Sequence, residues 1–296
     1  MKSEVKIFNS YNPFLGTAFL NQEKDRGITK FEKACAALTC PDGDTAVKIK
    51  TALEIYDNNK KDFTMEQAVS LLKDISQLAV ENRICLDPQC ASLIEELGKS
   101  VIPSKFTKQT KLHAIIDVIE SLSRMKMYVE DVYKLAAREI TKQTSLGVEN
   151  IARALNALSN TSKRSTKLNH QLAVKFLSNI EKSNLQTFAI TLDSLQKLNF
   201  TLPDFWEKAA DHFASLISNQ QSAKPEKQIF LAKIARAFSG CDRDLAAAAW
   251  HTSADAYKRL FVDQLANKEL DKQALAILID TAEKLAIEPR DYMKVL

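Results

Sequence analysis

Self-similarity constrains this chain more than any other feature, because a unit that recurs at about 20 to 50 residues buries its apolar face only against its neighbours. Taking the last apolar residue of each first helix as a mark gives Leu38, Leu78, Leu122, Leu158, Leu198, Phe238 and Leu285, with steps of 36 to 47 residues. Three places earlier stand Cys35, Ile75, Ile119, Leu155, Leu195, Ala235 and Ala282. Ten places earlier stand Ile28, Ala68, Leu112, Val148, Phe188, Gln228 and Leu275, where only Gln228 breaks the apolar pattern. Offsets of three, seven and ten share one side of a 3.6-residue period, so each unit opens with an amphipathic helix.

A second helix follows in every unit. Its first core position reads Ile49, Cys90, Tyr133, Asn169, Trp206, Trp250 and Tyr292, and seven residues later come Tyr56, Leu97, Ile140, Phe176, Phe213 and Tyr257. Between them lie small or apolar pairs such as Ala52/Leu53, Leu172/Ala173 and Ala209/Ala210. Small residues at mid-helix admit a close neighbour and the bulky ones fill the groove it leaves. Thr64 ahead of Met65-Glu66-Gln67 reads as a capping box, and Pro88, Pro203, Pro225 and Pro289 suit helix starts. With only 6 Gly and 7 Pro in 296 residues, the expectation is an all-α chain. Its architecture is an α-solenoid of about seven helical hairpins over 27–296, the last one incomplete. The linkers are short and polar and mark no domain boundary.

Residues 1–26 lack the helical period but hold Phe8, Tyr11, Phe14 and Phe19, a density of aromatics that seldom stays in water. They read either as an arm packed on the first hairpin or as an anchor for a partner. Glu4, and the lack of arginine before Arg26, argue against a transit peptide. At the other end Tyr292 begins a second helix that stops at Leu296, before its closing aromatic. That end is expected to be covered by further chain or by a partner meeting Tyr292.

Chemistry is scarce in the sequence. The glycines, at 16, 27, 43, 98, 147 and 240, are too scattered for a phosphate-binding loop. The five cysteines include a C-x4-C spacing at Cys35/Cys40 and again at Cys85/Cys90, without the nearby histidines a zinc site needs, and read as buried thiols. The histidines at 113, 170, 212 and 251 are isolated. No catalytic residues, metal or cofactor are expected, and no apolar run reaches the roughly 20 residues of a membrane span.

What varies is polar. Two residues before each mark stand Ala36, Ser76, Glu120, Asn156, Gln196, Arg236 and Glu283, and five before stand Lys33, Lys73, Asp117, Arg153, Asp193, Lys233 and Asp280. Positions three apart share a helix face. One varied polar set per unit on a constant frame suits a modular reader of unstacked bases, and equally suits a solvated stripe. Lys33, Lys73, Arg153, Asn156, Gln196, Lys233 and Arg236 are therefore candidate RNA contacts. Two basic clusters, Lys105, Lys108 and Lys111, and Lys163, Arg164 and Lys167, are candidates for holding backbone phosphate. A formal net charge of +4 keeps any such face local.

Units such as ARALNALSN (152–160), TLDSLQKLNFTLPDFWEKAADHF (191–213) and ILIDTAEKLAIEPRDYMKVL (277–296) resemble the degenerate helical repeats of organellar RNA-associated proteins. The resemblance is to the octotricopeptide and heptatricopeptide type, as in RAP-domain and FAST kinase-like proteins, and covers 27–296. It implies a non-catalytic protein of the mitochondrial matrix that meets rRNA or an organellar transcript. It also implies other protein subunits around it, within a ribonucleoprotein such as the mitochondrial ribosome or an RNA-processing complex. The steps of 36 to 47 depart from the near-fixed repeat lengths of those families. A protein scaffold of the HEAT or armadillo kind, without RNA contact, fits the same pattern.

Overall fold

The computed structural model describes residues 29–100, 108–143, 146–161, 166–218 and 225–240, with positions 272, 274, 276, 277, 279 and 280. Every regular element among them is helical: eleven α-helices and two short 3-10 turns. They divide between two compact units that meet in sequence at Phe106/Thr107. The polar linkers gave no sign of this division, although it falls within the 44-residue step from Leu78 to Leu122.

In the first unit, α1 (Lys30–Thr39), α2 (Thr45–Asn58), α3 (Met65–Glu81) and α4 (Pro88–Ser100) form two hairpins, with α1 against α3 and α2 against α4. The second unit holds α5 (Lys108–Arg124), α6 (Glu130–Lys142), α7 (Val148–Ser159), α8 (Thr166–Leu177), α9 (Leu185–Lys197), α10 (Pro203–Ser218) and α11 (Pro225–Ser239). Here α5, α7, α9 and α11 touch in succession as one layer, and α6, α8 and α10 touch in succession as the other. A first helix in mid-layer is flanked on both sides and floored by the second layer. That is why α7 buries Ile151, Ala152, Ala154, Leu155, Ala157 and Leu158, leaves Val148, Asn150, Arg153, Asn156 and Ser159 half-open, and exposes only Glu149 in its first turn.

At its first and closing positions the second-helix register holds wherever it is described, while Leu93, Ala137 and Ala210 of the intervening pairs are half-buried. Ile49, Cys90, Tyr133, Asn169 and Trp206 are buried, as are the closing residues Tyr56, Leu97, Ile140, Phe176 and Phe213. Trp206 lies 2% exposed with its indole Nε1–H donated to the Phe200 carbonyl at 3.0 Å, and its ring meets Phe238 edge-on. The first-helix register holds less evenly, since Leu78, Cys35 and Val148 are half-buried and Ala79 is buried beside Leu78. Cys90 is buried as expected, whereas Cys85 is exposed and Cys35 and Cys40 are half-buried. The reason is place: Cys85 lies in the α3–α4 connection, where no neighbouring helix covers it.

Thr64 and Gln67 form the expected capping box, Thr29 and Glu32 form a second, and Pro88, Pro203 and Pro225 open α4, α10 and α11. Two local devices recur that the apolar pattern does not reveal. After α2 and α8 the chain makes the same turn: Asn59 and Asn179 take φ near −130°, donate side-chain Nδ2 to the carbonyls of Ile55 and Lys175, and lead into the 3-10 turns Lys60–Asp62 and Ile180–Lys182. After α3, α5 and α9 a left-handed residue ends the helix, Arg83 (φ 53°), Lys126 (φ 57°) and Asn199 (φ 54°). In each case the next N–H reaches back five residues, Ile84 to Ala79, Met127 to Leu122 and Phe200 to Leu195. This is the Schellman closure, made here without glycine.

Candidate functional site

The polar stripe of the first helices is where sequence and structure meet most informatively. In the second unit it is partly consumed by contacts between neighbouring helices. Arg153 on α7 reaches across to α5 and forks onto Asp117 and Glu120, with Nε 3.0 Å from Glu120 Oε2. Its side chain is 27% exposed and both carboxylates are more enclosed still. Hydrogen bonds and charge from Asp117 and Glu120 outweigh burial, the largest single influence, and keep the guanidinium firmly charged. A planar fork of five donors suits this two-carboxylate grip better than an ammonium would.

The next pair of helices repeats the motif with the roles placed differently. Arg236 on α11 meets Asp193 on α9, and Lys197, one turn along α9, adds a bond to Asp193 at 2.8 Å. Asp193 is 5% exposed, so this stripe position is interior rather than solvated. Burial pushes its carboxyl up, but the hydrogen bonds and charges of Lys197 and Arg236 prevail and hold it below its ordinary range. Ser76, on the corresponding face of α3, is likewise buried and donates to the Lys73 carbonyl at 2.8 Å.

Three stripe residues on consecutive first helices remain uncommitted among the described residues. Asn156 on α7, Gln196 on α9 and Lys233 on α11 are half-buried, and their side chains make no hydrogen bond or ion pair. Gln196 is held from one side by Gly240, where an added Cβ would fall 2.7 Å from its Cγ and Nε2. In the first unit Lys33 and Lys73 are exposed on α1 and α3. Lys108 and Lys111 lie on α5, and Lys167 is exposed on α8. Lys105, Lys163, Arg164, Phe8, Tyr11, Phe14, Phe19 and Tyr292 lie outside the described residues.

One cluster was not visible from the sequence. His212 on α10 sits with Nε2 3.2 Å from Ser183 Oγ and Nδ1 3.6 Å from Glu181 Oε2, an order that resembles a serine hydrolase triad. The geometry does not allow the attack. Ser183 is 5% exposed and donates its own proton to the Ile180 carbonyl at 2.6 Å, so it is an acceptor toward His212 and not a primed nucleophile. Among the described residues no group of three or more His, Cys, Asp or Glu is placed to hold a metal, and no helix is long and apolar enough to cross a membrane.

No protein-family model matches the chain. No curated protein matches it either.

Proposed function

We propose that this chain is a non-catalytic α-solenoid of about seven hairpins that associates with RNA as a subunit of a larger ribonucleoprotein of the mitochondrial matrix. The observation that carries the reading is the run of Asn156, Gln196 and Lys233, one on each of three neighbouring first helices, polar and without side-chain partners among the described residues. A side-chain amide offers two donors and an acceptor, which suits the edge of an unstacked base, and a lysine beside it suits phosphate. The organellar placement and the seven-hairpin count rest on the resemblance and the sequence period.

A second reading has its own observation. Arg153 and Arg236, the strongest cations of the stripe, are already matched by Asp117, Glu120 and Asp193, which would also repel phosphate. That favours a protein-binding scaffold of the HEAT or armadillo kind. Titration of single-stranded RNA across a salt series separates the two. RNA association requires affinity that falls linearly in log salt, a slope smaller by about one for Lys233→Glu, and weaker binding for Asn156→Ala with Gln196→Ala. Affinity that is absent, or unchanged in both variants, selects the scaffold.

A further inference from the structure

The Ser183–His212 pair leaves one atom without a partner, and that atom is titratable. Ser183 Oγ gives its proton to the Ile180 carbonyl at 2.6 Å, so the 3.2 Å contact with His212 is satisfied only by Nε2–H donating to Oγ. The neutral ring is thereby fixed as the Nε2–H tautomer. Its Nδ1 lone pair is buried and has no hydrogen-bond partner. Phe188 of α9 closes over the ring edge-on at 5.3 Å, and His212 as a whole is 7% exposed. On the Nδ1 side the Glu181 carboxylate stands at 3.6 Å, too far for a full hydrogen bond and on a side chain that is 85% exposed.

We propose that His212 is a proton-operated clasp on the turn between the fourth and fifth hairpins, protonation of Nδ1 drawing the Glu181 carboxylate down from solvent to bind α10 to the 3-10 turn Ile180–Lys182. In the neutral state the ring's hydrogen bond goes to Ser183 Oγ; the charged state adds a second, charge-assisted bond from the same ring. Among the described residues no other ionisable group is placed to compete for the site, and on the turn itself Lys182 donates to Asn179 Oδ1 at 3.0 Å. From α8, Lys175 is committed to the carbonyls of Ile140 and Gln143. From α9, Asp193 is committed to Lys197 and Arg236, and Phe188 presents only its ring. On α10 itself Lys208 and Asp211 are exposed. Burial holds the imidazole below its ordinary range and Glu181 acts in the opposite direction, so the carboxylate sets how readily the clasp closes.

The experiment is two-bond 1H–15N NMR of the histidine rings in the full chain and in Glu181→Gln, a surface change that leaves the buried ring in place. The wild type is expected to show the Nε2–H tautomer at high pH. Glu181→Gln is expected to bind the proton about threefold more weakly, the size of an ion pair whose carboxylate is solvent-exposed. Amide exchange at 180–184, corrected for intrinsic pH dependence, should slow severalfold as His212 protonates in the wild type and not in the variant. An Nδ1–H tautomer, equal midpoints in both proteins, or a ring that stays neutral until the chain unfolds overturns the proposal.

Discussion

Asp193→Asn tests whether the ion pairs across the first-helix layer hold adjacent hairpins together. The substitution keeps the shape and removes the charge that Arg236 and Lys197 share. Breaking a fully buried pair costs about 3 to 5 kcal/mol, and a single hydrogen bond to a charged group contributes about 1.5 to 3 kcal/mol. Both cations here retain a path to water, with side chains 30% and 40% exposed, which places the loss near the lower bound, about 2 kcal/mol. For a unit of this size that is a fall in Tm of about 4 to 8 °C. Because the folded carboxyl is held below its ordinary value, its contribution is complete above about pH 4 and disappears as pH falls through the lowered folded value. The variant should therefore lose the steepest part of the acid limb as well as the stability. Urea melts of wild type, Asp193→Asn, Arg236→Gln and the double variant give the coupling directly. A coupling below about 0.3 kcal/mol, or an unchanged acid limb, would refute the idea that the layer is held by these charges.

Lys126→Gly should raise stability by about 0.5 to 1 kcal/mol, because the left-handed backbone at φ 57° strains any side chain by more than glycine loses in the unfolded chain; the urea midpoint at constant m reads it. Trp206→Ala should cost about 3 to 5 kcal/mol and Trp206→Phe nearer 1 kcal/mol, the second reporting chiefly the bond to the Phe200 carbonyl. Thr64→Ala should cost about 1 kcal/mol through the capping box at the start of α3. Gly240→Ala should displace the Gln196 side chain and weaken RNA association without altering any charge, an effect absent when Gln196 is already alanine.

The second helices were legible because their bulky residues stand alone among alanines, so Trp206 and Phe213 could be assigned to the core from spacing alone. The first helices were legible to within a residue: beside Leu78 stands Ala79, and an apolar pattern cannot say which of two adjacent apolar residues turns inward. The stripe itself was found, but its chemistry was not. Arg153 reads as an exposed cation until Asp117 and Glu120, 36 and 33 positions earlier, are known to lie across the layer. His212 looked isolated for a similar reason, since the turn that carries Ser183 and Glu181 is built by Asn179, a capping interaction with no apolar signature. Local rules gave the helices; contacts between neighbouring helices decided which polar groups were spoken for.

The positions five before each mark also carry a pattern of charge. From the third unit onward they read Asp117, Arg153, Asp193, Lys233 and Asp280, alternating in sign. Where neighbours are seen to pair, each basic helix leans on the acidic one before it. Removing the hairpin of α7 and α8 would bring Asp117 and Glu120 beside Asp193, three carboxylates in a partly dry seam, while removing two successive hairpins would restore opposite signs. Charge matching across this layer therefore has a period of two hairpins, about twice as long as the repeat that the hydrophobic pattern declares.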